Sequence, residues 1–524
     1  MNFAPTIAGG FDCALQSLAA TAGLVWLVPL LPLLAAAGIG LHLLIRRASG
    51  DAQEPHIAAL ASGAALGALV FLLIADLSAL YNGAPGHLLV ADWLAIGATP
   101  VRVSFLLDAR SLPIATLVAL IGWITLRFSA TYLHREPGFR RFFLAMSLFL
   151  TGMLLIVLAG DLVLTFVGWE LAGLSSWLLI GYAWERPAAT GNALFVFLCN
   201  RVGDAGFVLG IGLAVWSVGS TEWPALAGEG ALETVTARLL LLGFVVAALA
   251  KSAQLPFSPW IARALEGPTP SSAVFYGSLM IHAGVYLLLR LEPLLVQVPD
   301  VMALLAVIGL ATAVYGALCA LVQSDVKSAL IFATLTQLGL MFLACGLGFF
   351  TLAAWHLGLH AAWRAYQFLL APAYMHLVRQ PARPVPRWLA ALPWLYTAAL
   401  QRFWIEPLAH SLFTRPTLAL GQDMRALDEQ VIDRLVGVPR DDAPDAAGEF
   451  AADDLIRGHG VAGRFLFQLA DQMQRLETHL LLSGGGALQQ TLGRIGDYMA
   501  ALELLLEHPR YLMLMVMATF VVIL

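Results

Sequence analysis

Apolar runs of about 20 residues, the length that crosses a bilayer as a helix, recur along the chain. They lie near 23–45, 57–80, 109–132, 142–160, 162–183, 190–218, 237–255, 270–294, 300–322, 328–348, 351–377 and 510–524. The pattern predicts an all-α, polytopic membrane helix bundle of about twelve spans. One stretch departs from it. His87 to Leu107 alternates loosely, with prolines and glycines nearby, and reads as a short external hairpin or cover over the bundle. Past residue 377 the chain turns polar. Trp388 to Trp404 is apolar but short, which suits a re-entrant or interfacial segment. Leu466, Leu469, Met473, Leu476 and Leu480, then Leu488, Leu492, Ile495, Met499, Leu502 and Leu506, keep a 3-4 spacing that predicts amphipathic helices. Four regions follow: 1–140 with the first spans and hairpin, a core at 141–377, a polar linker with amphipathic helices at 378–508, and an anchoring span at 509–524.

Composition agrees with a membrane protein. The 524 residues are 60% hydrophobic and 12% charged, against about 25% charged in soluble domains. No basic region precedes the apolar stretch within Met1 to Ala19, so no secretory signal is evident. A net charge of −5 without a basic stripe argues against nucleic acid as a partner. The four cysteines share no CxxC spacing, which argues against iron–sulfur clusters and structural zinc. Arginines and lysines of the connections gather on one side (Arg46, Arg47, Arg135, Arg140, Arg186, Arg263), which places the N-terminus outside the cytoplasm by the positive-inside rule.

The candidate chemistry begins with a bias in the cations. Of 29 basic side chains only Lys251 and Lys327 are lysines. Arginine does not release its proton in a protein, whereas a desolvated lysine shifts its pKa by several units. Lys251 closes an apolar run, and intramembrane charges are functional by default. It therefore reads as a buried, titratable proton site, the alternative being a snorkelling anchor. Pro256 and Pro259 predict a helix break just beyond it, which frees carbonyls and admits water at depth. Glu170 lies mid-span among Gly168, Ala172, Gly173 and Ser175, and the opposite charge available to it is Lys251. A Glu–Lys pair at low dielectric has two nearly balanced states, ion pair or neutral pair, unless it is a static salt bridge. Arg201 and Asp204, three residues apart on one helix, read as a local structural pair. His356, His360 and Arg364 share a helical stripe at i, i+4, i+8 and suit a proton wire ended by a fixed positive charge. A histidine pair for metal is the rival, but no third ligand is evident.

These segments resemble one known family. Val-Gly-Trp-Glu170, Asn-Arg-Val-Gly-Asp204, Lys251-Ser-Ala-Gln-Leu-Pro and Glu266-Gly-Pro-Thr-Pro-Ser-Ser, followed by Ala283-Gly-Val-Tyr286, look like the antiporter-like membrane subunits. These comprise the L subunit of respiratory complex I (NADH–quinone oxidoreductase), Mrp antiporter subunits, and DabB-type subunits of inorganic-carbon uptake complexes. The resemblance implies a discontinuous helix in an inverted-repeat channel, with Glu170 and Lys251 gating proton movement and Lys327 linking the two half-channels. His356 and His360 would relay protons in the second half, biased by Arg364 where the family usually carries lysine. It also implies a lateral C-terminal helix along the membrane, other membrane subunits as partners, and the cell inner membrane as location.

Two departures accompany the likeness. Tyr276 stands where the family usually has a relay histidine, and the nearest histidine, His282, is six residues on. Six residues turn a regular helix through about 600°, so His282 is expected on roughly the opposite face, as a helix–helix hydrogen bond or a substitute relay. The bundle also reads as shortened after residue 377, lacking the family's late core helices and their lysine while keeping the tail. No nucleotide loop, flavin fingerprint or nucleophile–base set is visible, so no cofactor and no complete active site are expected. The function implied is proton translocation coupled to quinone reduction. The alternative is DabB-type coupling of proton influx to CO2 or bicarbonate uptake, with a zinc carbonic-anhydrase-like partner.

Overall fold

The computed structural model describes residues 22–45, 51–97, 99–226, 228, 234–377, 385–419, 422 and 472. The chain divides into two units, 1–415 and 416–524. Nearly all of the second, with the expected lateral helix and the final span at 510–524, lies outside the described residues.

In the first unit, α1 (Leu27–Ile45) and α2 (Glu54–Asn82) precede strands β1 (Gly86–Ile96) and β2 (Thr99–Leu107). Then come α3 (Ser111–Tyr132), α4 (Phe139–Leu158), α5 (Leu162–Ile180), α6 (Pro187–Val218) and α7 (Thr234–Lys251). The span α8 (Thr269–Arg290) is followed by α9 (Pro299–Leu321), α10 (Val326–Gly346) and α11 (Phe350–Leu377). Among the described residues nine helices are long and apolar enough to cross a membrane, against about twelve expected. The span expected at 237–255 ends early because α7 stops at Lys251.

The expected hairpin is real β-structure, so the fold is mostly helical rather than all-α. β1 pairs antiparallel with β2, from Gly86 opposite Leu107 to Ile96 opposite Thr99. Two helices form the buried centre. The apolar window of α8 is entirely buried and that of α4 is 89% buried, while α2 and α9 leave much of their surface outward. Small residues let α4 and α5 touch backbone to backbone: a Cβ on Gly152 would lie 2.7 Å from the Gly168 carbonyl oxygen. Asp161 starts α5 by accepting from the backbone N–H of Val163 (2.7 Å) and Leu164 (3.1 Å).

The break after Lys251 forms as the prolines predict. Pro259 precedes a short helix, Trp260–Arg263, and the Trp260 indole donates to the Ala250 carbonyl at 2.8 Å. That bond satisfies one of the carbonyls left at the end of α7. The apolar stretch from Trp388 resolves into short helices, Arg387–Ala390 and Pro393–Leu400, neither long enough to span. Arg263 Nε donates to Glu406 at 2.8 Å, which ties the segment beyond them to the loop after the break.

Candidate functional site

Four charged side chains converge between α5, α6 and α7. Arg201 on α6 forms an ion pair with Glu170 on α5 and a second with Asp204, Nη2 to Oδ2, at 2.8 Å. A guanidinium fork can serve two carboxylates at once, which a lysine ammonium does less well. The Trp169 indole N–H donates to the other Asp204 oxygen at 2.8 Å. Lys251 is 1% exposed. Its ammonium donates to the Trp169 carbonyl at 3.3 Å and stands 4.9 Å from the centre of the Trp169 ring, so the electron-rich ring face supplies part of the stabilisation lost with water.

The pairing expected between Glu170 and Lys251 is corrected here. Among the described residues no ion pair joins them, and Arg201 takes the Glu170 carboxylate instead. The two cations meet over Gly173. A Cβ there would lie 3.2 Å from Arg201 Nη2 and 3.3 Å from Lys251 Nζ, so the nitrogens are no more than the sum, 6.5 Å, apart. With two carboxylates and two cations the cluster is neutral when all four are charged. One proton added or removed leaves a net charge at low dielectric, where it acts strongly on its neighbours. Glu170 Oε1 and Arg201 Nε make no hydrogen bond among the described residues, which leaves an acceptor and a donor free to bind water or a proton. The sequence identified Arg201 and Asp204 as a local pair, and they are one. It missed that Arg201 reaches across to Glu170 and that Trp169 holds both Asp204 and Lys251.

The second group lies between α8 and α11. His282 Nε2 is 2.9 Å from His360 Nδ1, and Arg364 Nε donates to His360 Nε2 at 3.1 Å. Because arginine only donates, His360 Nε2 accepts, and the neutral ring carries its proton on Nδ1. That proton points to His282 Nε2, so neutral His282 carries its own on Nδ1. Arg364 also donates to Gln367 at 2.8 Å. His356 is turned aside to Gln337 on α10 (2.9 Å), its ring centre 6.0 Å from that of His360. The expected stripe of His356, His360 and Arg364 is present, but the hydrogen bond to His360 comes from His282 rather than from His356.

His282 makes the helix–helix hydrogen bond expected of it, from a helix whose winding is irregular just before it. Residues Ala273–Ser278 form a π-helix and Met280–His282 a 3-10 turn. Wide and tight turns rotate side chains differently from a regular α-helix, so 100° per residue does not apply across them. Tyr276 is fully buried, its hydroxyl unpaired among the described residues, with its ring edge-on to Trp260. A cavity of about 20 Å³, room for one water, adjoins His282, Ser278 and Tyr286.

Lys327 lies in the first turn of α10, partly buried, with its ammonium donating to Thr269 Oγ1 at 2.7 Å. It is at the mouth of its span rather than mid-depth. The helices that carry the two groups are tied together nearby: the Ser252 hydroxyl, next to Lys251 in sequence, donates to the Ile281 carbonyl, next to His282, at 2.7 Å.

Comparisons with known proteins identify the family. Residues 159–384 match the family model described as NADH:quinone oxidoreductase/Mrp antiporter, TM, and residues 93–143 match that of the complex I chain 5 N-terminus. The chain belongs to the complex I/Mrp antiporter-like membrane subunits, on the subunit 5 side of that family. It is similar to NAD(P)H-quinone oxidoreductase subunit 5 of the Paulinella chromatophora chromatophore, 35% identical over 366 residues, covering 68% of this chain and 54% of the relative. The chloroplast subunit 5 of Nephroselmis olivacea is 36% identical (67% of this chain, 55% of the relative), and chain 5 of Synechocystis 33% (67% and 53%). The chain thus spans about half the length of these relatives. Its fold resembles a chain of the Mrp complex from Dietzia sp. (TM-score 0.56, 23% identity, 98% of this chain and 63% of that one). It also resembles a chain of the archaeal membrane-bound sulfane sulfur reductase (TM-score 0.59, 18% identity, 75% and 82%).

Proposed function

We propose that this chain is a proton-translocating subunit of a multisubunit complex in the cell inner membrane, working beside quinone-reducing partners like those of its relatives. The observation that carries the reading is Lys251, 1% exposed at the end of a broken helix and a member of a neutral four-charge cluster. Glu170, Arg201 and Asp204 set the field at Lys251, so a proton gained by Glu170 shifts the balance that keeps the ammonium charged. His282 and His360 continue the route on α8 and α11, with Arg364 as a fixed positive stop, and the Ser252 hydroxyl ties α8 to the end of α7 without carrying the proton. Lys327 then serves as a group at the mouth of α10. His356 and Tyr276 line the path without being its main carriers.

Replacing Lys251 with Met in the assembled complex tests this. Proton movement should fall to background while assembly and partner redox chemistry persist. Wild-type proton-coupled activity in Lys251→Met would mean that the subunit is a scaffold.

A further inference from the structure

At the hairpin end of α5 three separate segments are stitched together. Gly160 N–H donates to the Ser104 carbonyl (2.8 Å), Trp223 N–H donates to the Gly160 carbonyl (3.0 Å), and Leu162 N–H donates to the Thr221 carbonyl (2.8 Å). This closure gathers side chains from both strands and both loops. Glu222 Oε2 accepts from Ser104 Oγ at 2.7 Å and is 2.6 Å from His87 Nε2. Beside it, the Thr221 hydroxyl donates to Asp161 Oδ2, while Asp161 Oδ1 caps α5. Gly160 lets Ser104 and His87 close over it: a Cβ there would lie 2.8 Å from Ser104 Oγ and 3.1 Å from His87 Nε2, so both side chains would have to shift.

Exposure is graded across the cluster. The His87 side chain is 30% exposed, Glu222 13%, and Asp161 is fully buried. Other carboxylates at this end have arginine partners: Asp108 holds Arg290, and Glu292 holds Arg110. Among the described residues Asp161 and Glu222 touch no arginine or lysine, and His87 is the one group in contact that can become a cation. Burial raises the Asp161 carboxyl to about 6 against the pull of Thr221 and the capping N–H groups, and the Glu222 charge adds to the rise. Asp161, Thr165 and Trp169 then share one stripe of α5 at i, i+4, i+8. The Trp223 indole donates to Thr165 Oγ1 at 3.1 Å, and Trp169 leads to Asp204. Glu170 is nine residues along from Asp161, roughly 13 Å of helix rise.

We propose that His87, Glu222 and Asp161 form a proton-exchange port joining the four-charge cluster to water on the hairpin side. The inference rests on the reading of Lys251 above. In each step one proton moves and no electron does: imidazolium Nε2–H breaks as the Glu222 O–H forms, and the Glu222 proton then passes to Asp161. Ser104 and Gly160 position Glu222 and His87.

Infrared titration of the purified full-length chain in lipid, with proton flux in proteoliposomes, tests the port. A carboxylic-acid carbonyl band should titrate near pH 6, where burial places the Asp161 carboxyl, and vanish in Asp161→Asn, whose amide oxygen still caps α5. Glu222→Gln should move the midpoint down, and His87→Gln should slow flux about tenfold while leaving the band in place. A band that survives Asp161→Asn, or wild-type flux in both His87→Gln and Glu222→Gln, overturns the port. Lys251→Met in the same vesicles separates the two proposals, since it should stop flux and leave the band unchanged. Flux that persists there overturns the core reading, and the band still reports on Asp161.

Discussion

Arg201 is the sharpest place to test the four-charge cluster. Arg201→Ala removes the one guanidinium that serves Glu170 and Asp204 together. At an effective dielectric of about 20, a charge pair at the 2.8 Å Asp204 separation attracts by roughly 6 kcal/mol before desolvation is counted. Breaking a fully buried pair costs about 3–5 kcal/mol, and a surface pair about 0–1. Side-chain exposure here is 30% for Arg201, 14% for Glu170 and 6% for Asp204, nearer the buried case. A loss of about 2–3 kcal/mol is expected for Arg201→Ala. About half of that should return on adding Glu170→Gln, because Glu170 is one of the two carboxylates left without the guanidinium. A double-mutant cycle by reversible unfolding in mixed micelles measures this, with an expected coupling of about 1 kcal/mol between Arg201 and Glu170. Additivity within about 0.5 kcal/mol would refute the claim that the two charges act as a unit.

Gly173→Ala should cut proton flux about tenfold or more without loss of fold, since its methyl would stand between Arg201 and Lys251; vesicle flux beside a thermal melt decides it. His282→Ala should abolish flux and destabilise by about 1–3 kcal/mol, as the buried His360 donor loses its acceptor; unchanged flux would return the wire to His356. Asp161 gives a pH signature whose sign is fixed. Its folded-state value, about 6, lies above the ordinary carboxylate value of about 3.9, so its contribution is full below pH 4 and declines as pH rises through 6. The decline is about 3 kcal/mol at most, and unfolding of Asp161→Asn against pH should lack it.

Among the described residues, nine of the expected membrane spans were legible in the sequence, because hydrophobic length needs no knowledge of neighbours. So was the break after Lys251, since Pro256 and Pro259 restrict the backbone wherever they sit. The partner of Glu170 was not legible. Complementary charge alone nominated Lys251, and only the approach of α5 to α6 decides that Arg201 arrives first. That His282 would bond across helices was legible, but its partner His360 was not, because the winding before it changes from a π-helix at Ala273–Ser278 to a 3-10 turn. Asp161 and Glu222 escaped attention because their meeting depends on a strand pair and two loops far apart in sequence.

The wide turn in α8 bears on how far helical counting can be carried. His282 reaches His360 from a backbone that has just passed from a π-helix to a 3-10 turn. Where a helix alters its winding, the neighbour a side chain meets is set by the local pitch and cannot be counted off at a fixed angle from residues earlier in the span.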